Sequence, residues 1–294
     1  MNNARGDVAV ADKLDFESRL RALVQYLNLV EQGHRENRKE SRNGNERASA
    51  IPDDILFKHP ESSHLGDCPI CFLPMPLDPK LFTFQACCGQ LLCDGCSHAH
   101  SMCEIERGGE RKCPFCRDLA PTTGEEYKQR LLRRVEVNDP TALKNIGHMS
   151  YEEEDYENAF QYWTRAAEAG NEPVHFDLGM LYMSGKFVGK DKNKCISHLE
   201  RAAIRGHVDA RYALGYLEWE SGRFDRGVKH WIISASFGND ESIQQLKECY
   251  KLGHVSKDDF AKALRAHHAA VDAMKSPQRE KAELIYKVIE RGMK

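Results

Sequence analysis

The stretch DLGMLYMSGKFVGKDKNKCISHLERAAIRG, residues 177–206, has helical apolar spacing in each of its halves and a glycine at its end. Similar endings precede and follow it, and they place Gly170, Gly206 and Gly238 36 and 32 residues apart. A period in this range, with two helical segments per unit, predicts a stack of helix pairs. The glycines are expected to end helices and to let neighbouring helices approach closely. The sequence therefore predicts an α-helical repeat solenoid over residues 138–275.

This pattern resembles the Sel1-like repeat, a relative of the tetratricopeptide repeat. Residues 177–206 match it closely, including an insertion of four residues around Gly185 to Lys190. The flanking units are more degenerate, and residues 242–276 keep the two-helix rhythm but lose the terminal glycine, which is typical of a capping unit. Stacks of helix pairs expose a concave surface for extended peptides or other proteins. We therefore expect a protein substrate or partner on the repeats.

A second zone is rich in cysteine. Nine of the eleven cysteines lie between residues 68 and 116, in the pairs CPIC, CDGC and CPFC, a vicinal pair and one single residue. In a reducing compartment, clustered cysteines hold metal more often than they form disulfides. Each C-x2-C pair can present two thiolates to one tetrahedral zinc ion. Two zinc ions need eight ligands, and the zone supplies nine cysteines and two histidines.

The spacing of these cysteines resembles a RING-type zinc finger, here over residues 61–120. In that fold the first and third ligand pairs bind one zinc ion, and the second and fourth pairs bind the other. The resemblance implies two structural zinc ions and a fold class that is mostly α, with a small cross-brace finger followed by the solenoid. The ligands implied for the first ion are Cys68, Cys71, Cys93 and Cys96. Those implied for half of the second site are Cys113 and Cys116.

The other half of the second site departs from the common pattern. A common RING finger has C-x-H-x2-C in its middle, whereas CGQLLC, residues 88–93, has Gln90 at the histidine position. An amide is not a credible ligand beside zinc thiolates. One solution uses Cys87 and Cys88 together, although adjacent residues chelate a tetrahedral ion only with some backbone adjustment. The other keeps one of these two cysteines and recruits His98, His100 or Cys103.

The RING resemblance also implies a docking surface for a ubiquitin-conjugating enzyme. Ile70 and Pro114 match the groove of ligase-class fingers, and Arg117 follows the last ligand, where a basic residue bridges the conjugating enzyme and ubiquitin. The planar fork of arginine suits this bridging. Catalysis would then be by positioning, with no catalytic residue on this chain. Simpler interpretations stay open, because Ile70 could be a core residue and Arg117 a solvated charge.

Two functions are therefore expected from different classes. One is a ubiquitin-protein ligase, and the alternative is a non-catalytic protein-interaction scaffold with a structural zinc finger. A RING finger joined to Sel1-like repeats resembles an architecture found in multiplied copies in some microalgae, which determines no single activity. Nucleic acid is not an expected partner, because the formal net charge is −3 and no run of lysine and arginine forms a basic groove.

The remaining segments give weaker signals. Apolar residues at helical spacing predict an amphipathic helix at residues 12–32, and residues 33–50 have the composition of a disordered linker, so residues 1–60 form an N-terminal region. A rigid connecting helix is expected at 121–137 and a C-terminal helix or tail at 276–294. No apolar run reaches the roughly 18 residues of a membrane span. The N-terminus also lacks signal-peptide features, which predicts a cytoplasmic or nuclear protein.

Overall fold

The structure, a computed structural model, describes residues 51–292. The helix predicted at residues 12–32 and the linker predicted at 33–50 lie outside the described residues. Within the described range the chain is mostly α-helical, as predicted, and its one sheet has two strands. A small cysteine-rich unit comes first along the chain, and a stack of helix pairs follows it.

The cysteine-rich unit is built on one β-hairpin and one helix. The two strands pair antiparallel, with Phe82 opposite Cys93. Its core is small, because Met75 and Leu92 are the fully buried apolar side chains that accompany the cysteines. A core of this size does not stabilise a fold by burial alone. In chain order the first elements are α1 (Asp53–Leu56), a 3-10 turn (Pro79–Leu81), β1 (Phe82–Phe84), β2 (Leu91–Cys93) and α2 (Asp94–Glu106).

The helical stack occupies the rest of the described chain. Asp139, Asp155 and Asp191 start three of its helices, each accepting a hydrogen bond from a main-chain N–H in the first turn. Consecutive helices pack against each other, so that the eight helices between residues 140 and 273 form four pairs. The helices are α3 (Gly124–Glu136), α4 (Pro140–Glu152), α5 (Tyr156–Glu168), α6 (His175–Ser184), α7 (Lys192–Ile204), α8 (Val208–Glu220), α9 (Phe224–Ala235), α10 (Asp240–Lys251), α11 (Lys257–Ala273) and α12 (Pro277–Gly292).

Glycine and tryptophan interlock the two helices of a pair. A Cβ on Gly147 of α4 would lie 2.5 Å from the ring of Trp163 on α5, and a Cβ on Gly215 of α8 would lie 2.5 Å from the ring of Trp231 on α9. Both tryptophans are buried, and each indole N–H donates a 3.2 Å hydrogen bond to a carbonyl of the partner helix. In the second pair, Leu199 of α7 takes the tryptophan position beside Gly179 of α6. Close approach between helices therefore depends on these glycines.

The repeat signals predicted from the sequence are present in the structure. Gly170, Gly206 and Gly238 all follow helices and have φ values of 92°, 80° and 93°, which fits their predicted role as helix ends. The insertion predicted for residues 177–206 is also present, since residues 185–191 separate α6 from α7 whereas three residues, 153–155, separate α4 from α5.

The cysteine-rich unit contacts the helical stack through several elements. Ala86, in the β-hairpin loop, belongs to the same apolar core as Tyr127 and Leu131 of α3. Helix α12 returns to pack against α2, and a Cβ on Gly95 would lie 2.8 Å from the main-chain nitrogen of Arg279. The C-terminal segment, predicted only as a helix or tail, is thus a helix seated on the cysteine-rich unit.

Candidate metal centre

The structure brings together the sulfurs of Cys68, Cys71, Cys93 and Cys96, which we call site 1. All four Sγ atoms lie within 4.8 Å of one another, and the Sγ atoms of Cys71 and Cys93 are 3.8 Å apart. Tetrahedral zinc with Zn–S bonds of about 2.3 Å sets its sulfurs about 3.8 Å apart. Cys93 ends β2 and Cys96 lies in the first turn of α2, so the hairpin and the helix position this half of the site.

The sulfurs of Cys87, Cys88, Cys113 and Cys116, which we call site 2, form the second group within 4.8 Å. The Sγ atoms of Cys88 and Cys113 are 3.6 Å apart. Both vicinal cysteines therefore point to one centre. In chain order the two groups interleave, because the first and third cysteine pairs form one site and the second and fourth pairs form the other.

The alternative ligands for site 2 do not join it. Cys103 and the two histidines lie on α2 outside both four-cysteine groups. His100 has its Nε2 atom 3.0 Å from the main-chain oxygen of Lys112, so this ring contacts the main chain next to Cys113. Of the two solutions that the sequence left open, the geometry favours the all-cysteine set.

The β-hairpin loop lets two adjacent cysteines share one centre. The N–H of Gln85 donates to the carbonyl of Gln90 at 2.8 Å, and the N–H of Gly89 donates back to the carbonyl of Gln85 at 2.7 Å. Gly89 has a φ of 79°, which favours glycine at this turn. Gln90 therefore contributes its main chain to the turn that presents Cys87 and Cys88.

The knuckles at residues 67–74 and 112–119 have the same backbone design. In each, the residue after the second cysteine returns its N–H to the carbonyl of the first cysteine, at 2.8 Å for Phe72 and 3.1 Å for Arg117. These two residues have φ values of 58° and 64°, a conformation that side chains rarely adopt. An isolated β-bridge closes each knuckle. In both knuckles, the hydrogen bonds around the cysteines hold the backbone in this strained conformation.

The electrostatics of site 1 favour a bound cation. Burial by itself would raise the pKa of the Cys68 thiol, but the main-chain N–H groups of Cys71, Cys93 and Ile70 stabilise its thiolate and lower the pKa to about 7. Burial, followed by the neighbouring Cys93, raises the pKa of Cys96. Four thiolates at this distance repel each other, and a divalent metal ion removes that repulsion when it binds them.

Arg279 of α12 lies directly beside site 1, and sequence reasoning missed it. Its Nη2 atom donates to the Sγ of Cys71 at 3.4 Å and to the carbonyl of Leu73 at 3.2 Å. Its Nη1 atom donates to the carbonyls of Pro74 and Met274, both at 2.7 Å. The side chain is buried. No local pattern signals this contact, because Arg279 follows Cys71 by 208 residues.

The three residues expected to contact a conjugating enzyme lie on the two knuckles. Ile70 is 41% exposed, so it is not a core residue of the finger. Pro114 is half-buried in the second knuckle. The side chain of Arg117 is 60% exposed, and its Nη1 atom lies 3.5 Å from Oε1 of Glu104 on α2. An ion pair this long and this exposed is weak, which leaves the guanidinium available to a partner.

Comparison with known proteins identifies the repeats. The family model for the Sel1 repeat matches residues 146–171 and 174–207, which lie in α4 to α7 and the turns after them. Residues 146–207 therefore carry Sel1 repeats, as the resemblance predicted. The matched residues do not include the cysteine-rich unit. Within residues 51–292 no helix combines the length and the apolar character needed to cross a bilayer.

Curated relatives match part of the chain. DAP3-binding cell death enhancer 1 of Mus musculus is 23% identical over 174 residues, which are 46% of this chain and 34% of that protein. Chitin synthase regulatory factor 4 of Schizosaccharomyces pombe is 25% identical over 134 residues, 38% of this chain and 21% of that protein. The chain thus spans about a third or less of the length of these relatives.

Solved structures also match part of the chain. A Sel1 repeat protein from Oxalobacter formigenes has 23% identity and a TM-score of 0.45, covering 51% of this chain and 66% of its own. The protective antigen c5321 of uropathogenic Escherichia coli has 24% identity and a TM-score of 0.43, covering 50% of this chain and 33% of its own.

Proposed function

We propose that this chain is a RING-type ubiquitin-protein ligase whose cysteine-rich unit binds two structural zinc ions. The observation that carries the proposal is the interleaved order of two four-cysteine groups, each within zinc-ligand range. Four-thiolate sites leave no open position for substrate, so the metal would stabilise the fold rather than perform chemistry. Because the apolar core of the unit is small, bound metal would supply much of the free energy that stabilises its fold.

The surface of the unit supports the docking of a conjugating enzyme. Ile70 and Pro114 lie on the two separate knuckles that the zinc ions would hold in shape. Arg117 presents an exposed guanidinium at the end of the second knuckle. A substrate lysine amine would attack the ubiquitin thioester on the conjugating enzyme, forming an isopeptide bond and releasing the enzyme's thiol. Residues on this chain would bind and orient both partners.

The Sel1 repeats would hold the substrate or another protein partner. Stacked helix pairs bind proteins over extended surfaces. The mouse relative is named for binding another protein, DAP3, which supports a protein partner for repeats of this kind. We place this activity in the cytoplasm or nucleus, where reduced cysteines are kept available for metal.

The test is ubiquitin-chain formation by the full chain. Zinc-loaded protein is incubated with activating enzyme, ATP, ubiquitin and a panel of conjugating enzymes, and we expect polyubiquitin with at least one of them. Ile70→Ala and Arg117→Ala should each lower the rate about 10- to 100-fold, as truncation of an interface hot spot does. Leu252→Ala and Arg265→Ala, at exposed positions of the repeats, are the matched controls and should keep the wild-type rate.

The alternative is a non-catalytic scaffold, which the same experiment separates. If the zinc-loaded wild-type protein forms no polyubiquitin with any conjugating enzyme, the ligase proposal is wrong and the scaffold is favoured. Equal rates for wild type, Ile70→Ala and Arg117→Ala would likewise contradict the proposed docking surface. Zinc content and thermal stability are measured for each variant, so that loss of the fold is not mistaken for loss of docking.

A further inference from the structure

We propose that helix α7, the turn that follows it and helices α8 and α9 form a peptide-binding site that residues 52–65 of the same chain occupy as an intramolecular ligand. These residues, which we call the strap, run across α7 and the third helix pair before the chain enters the first knuckle. The inference stands on the repeats alone, and it holds whether or not the finger is a ligase.

A buried arginine recognises the main chain of the strap. Arg211 of α8 is fully buried, and its Nη1 atom donates to the carbonyl of Leu56. Its Nη2 atom lies 3.5 Å from the carbonyl of Lys58. A buried guanidinium is costly unless its donors find acceptors, and the strap supplies main-chain carbonyls from 153 and 155 residues away in sequence. A peptide from another protein that forms the same short helical turn could supply the same acceptors.

Side-chain contacts make the recognition specific. Leu56 is fully buried, whereas its neighbour Ile55 is 51% exposed. The ring of Phe57 lies 4.7 Å from the ring of His230 and 5.0 Å from the guanidinium carbon of Arg226. Arg226 also pairs with Asp53. The site thus selects an acidic side chain, then a leucine three residues later, then an aromatic ring.

The second half of the strap lies against the end of α7. The N–H of His64 donates to the carbonyl of Gly206 at 3.0 Å, and the ring of His64 stacks on that of His207 with centroids 3.9 Å apart. A Cβ on Gly206 would lie 2.4 Å from the carbonyl oxygen of Ser62. The equivalent Gly170 has no atom within 4 Å of such a Cβ. Gly206 therefore leaves room for the strap as well as ending a helix.

These contacts give the strap the character of a displaceable ligand. When the strap leaves, the site should bind a segment of a protein partner that carries the same pattern of acidic, leucine and aromatic residues. Because the strap competes for the site, the apparent affinity for that partner equals the affinity of the open site multiplied by the fraction of chains whose site is open. Two residues, 66 and 67, connect the strap to Cys68.

The test measures binding of a labelled peptide with the sequence of residues 51–60, IPDDILFKHP, to the full chain. In a Leu56→Ala chain the strap is weakened and the site is intact, so we expect the peptide to bind at least tenfold more tightly than to wild type. Ile55→Ala alters the exposed neighbour on α1 and is the matched control, with wild-type binding expected. A peptide that carries the Leu56→Ala change should bind at least tenfold more weakly to the opened chain.

A second pair of variants keeps the test decisive if Leu56→Ala does not fold. Gly206→Ala and Gly170→Ala introduce the same methyl group at positive φ, but only the former collides with the strap. The peptide lacks Ser62, so the new methyl group hinders the tethered strap alone. Tighter binding to Gly206→Ala than to Gly170→Ala supports the inference. Equal binding to folded members of each pair, or equal binding of a scrambled peptide, overturns it.

Discussion

Replacing Arg279 tests whether the C-terminal helix supports the first metal site. Arg279→Ala removes one hydrogen bond to the Sγ of Cys71 and two to the carbonyls of Leu73 and Pro74. Hydrogen bonds from charged groups contribute about 1.5–3 kcal/mol each, and water that enters the space recovers part of this. We therefore expect α12 to lose about 3–5 kcal/mol of its binding to the finger.

The effect on metal affinity should be confined to site 1. Loss of a partner that hydrogen-bonds to a metal ligand typically lowers metal affinity about 10- to 100-fold, or about 1.4–2.8 kcal/mol. Within residues 51–292, the side-chain hydrogen bonds of Arg279 go to Cys71, Leu73, Pro74 and Met274, and none of these residues is a site 2 cysteine. Site 2 is thus an internal control in the same molecule. Arg279→Lys keeps the positive charge but loses the forked guanidinium, so the zinc affinity of its site 1 should lie between those of the wild type and of Arg279→Ala.

Zinc transfer to a colorimetric chelator measures this effect. Wild-type protein should release two zinc ions, and a Cys116→Ser variant identifies the release phase that belongs to site 2. Arg279→Ala should accelerate the site 1 phase at least tenfold and leave the site 2 phase unchanged. Arg265→Ala, an exposed arginine on α11, should match wild type. Acceleration of both phases alike, or of neither, would refute the reasoning.

Two further predictions concern the repeats and the strap. Gly215→Ala places a methyl group against Trp231 and should destabilise the chain by about 1–3 kcal/mol in urea unfolding. Gly189→Ala, at an open position, should cost less than half as much, and equal losses would contradict the interlock. Burial, then Lys144, lowers the pKa of His64 to about 3, against weaker raising effects from the Gly206 backbone and Asp177. Neutral His64 therefore stabilises the bound strap above pH 6.5, and this is lost as the pH falls below 6.5, by about 1.4 kcal/mol per unit. The protection factors of the strap amides, which are corrected for the intrinsic exchange rate at each pH, should therefore fall from pH 6.5 to 5, and unchanged protection factors would contradict this prediction.

The repeats could be predicted because their signals are local and recur. Gly170, Gly206 and Gly238 each end a helix within their own unit, and Gly147 and Gly215 each face a tryptophan sixteen residues later. Local signals of this kind need no knowledge of distant residues, so one sequence is enough to read them.

The cysteine positions were predictable only in part. Spacing pairs Cys68 and Cys71 with a later C-x2-C, but it does not decide between Cys103 and the second of two adjacent cysteines. That choice depends on the hairpin loop, where Gln85 and Gln90 close a turn that points Cys87 and Cys88 to the same centre. The turn depends on the register in which β1 pairs with β2, and the spacing of the cysteines alone does not reveal that register.

The contacts of Arg279 and of the strap could not have been predicted. Arg279 lies 208 residues from Cys71, and Arg211 lies 155 residues from Leu56. Neither arginine stands in a motif, and each resembles an ordinary surface charge when only its neighbours are considered. Arg211 is buried where the strap packs on the helical stack, and Arg279 is buried where α12 packs on the cysteine-rich unit.

Zinc content per chain tests the central claim most directly. Elemental analysis of purified wild-type protein should give two zinc ions per chain. Cys87→Ser and Cys88→Ser should each lower the count to one, whereas Cys103→Ser and His100→Ala should leave it at two. One zinc ion or none in the wild-type protein, or loss of zinc from Cys103→Ser, would contradict two interleaved four-cysteine sites.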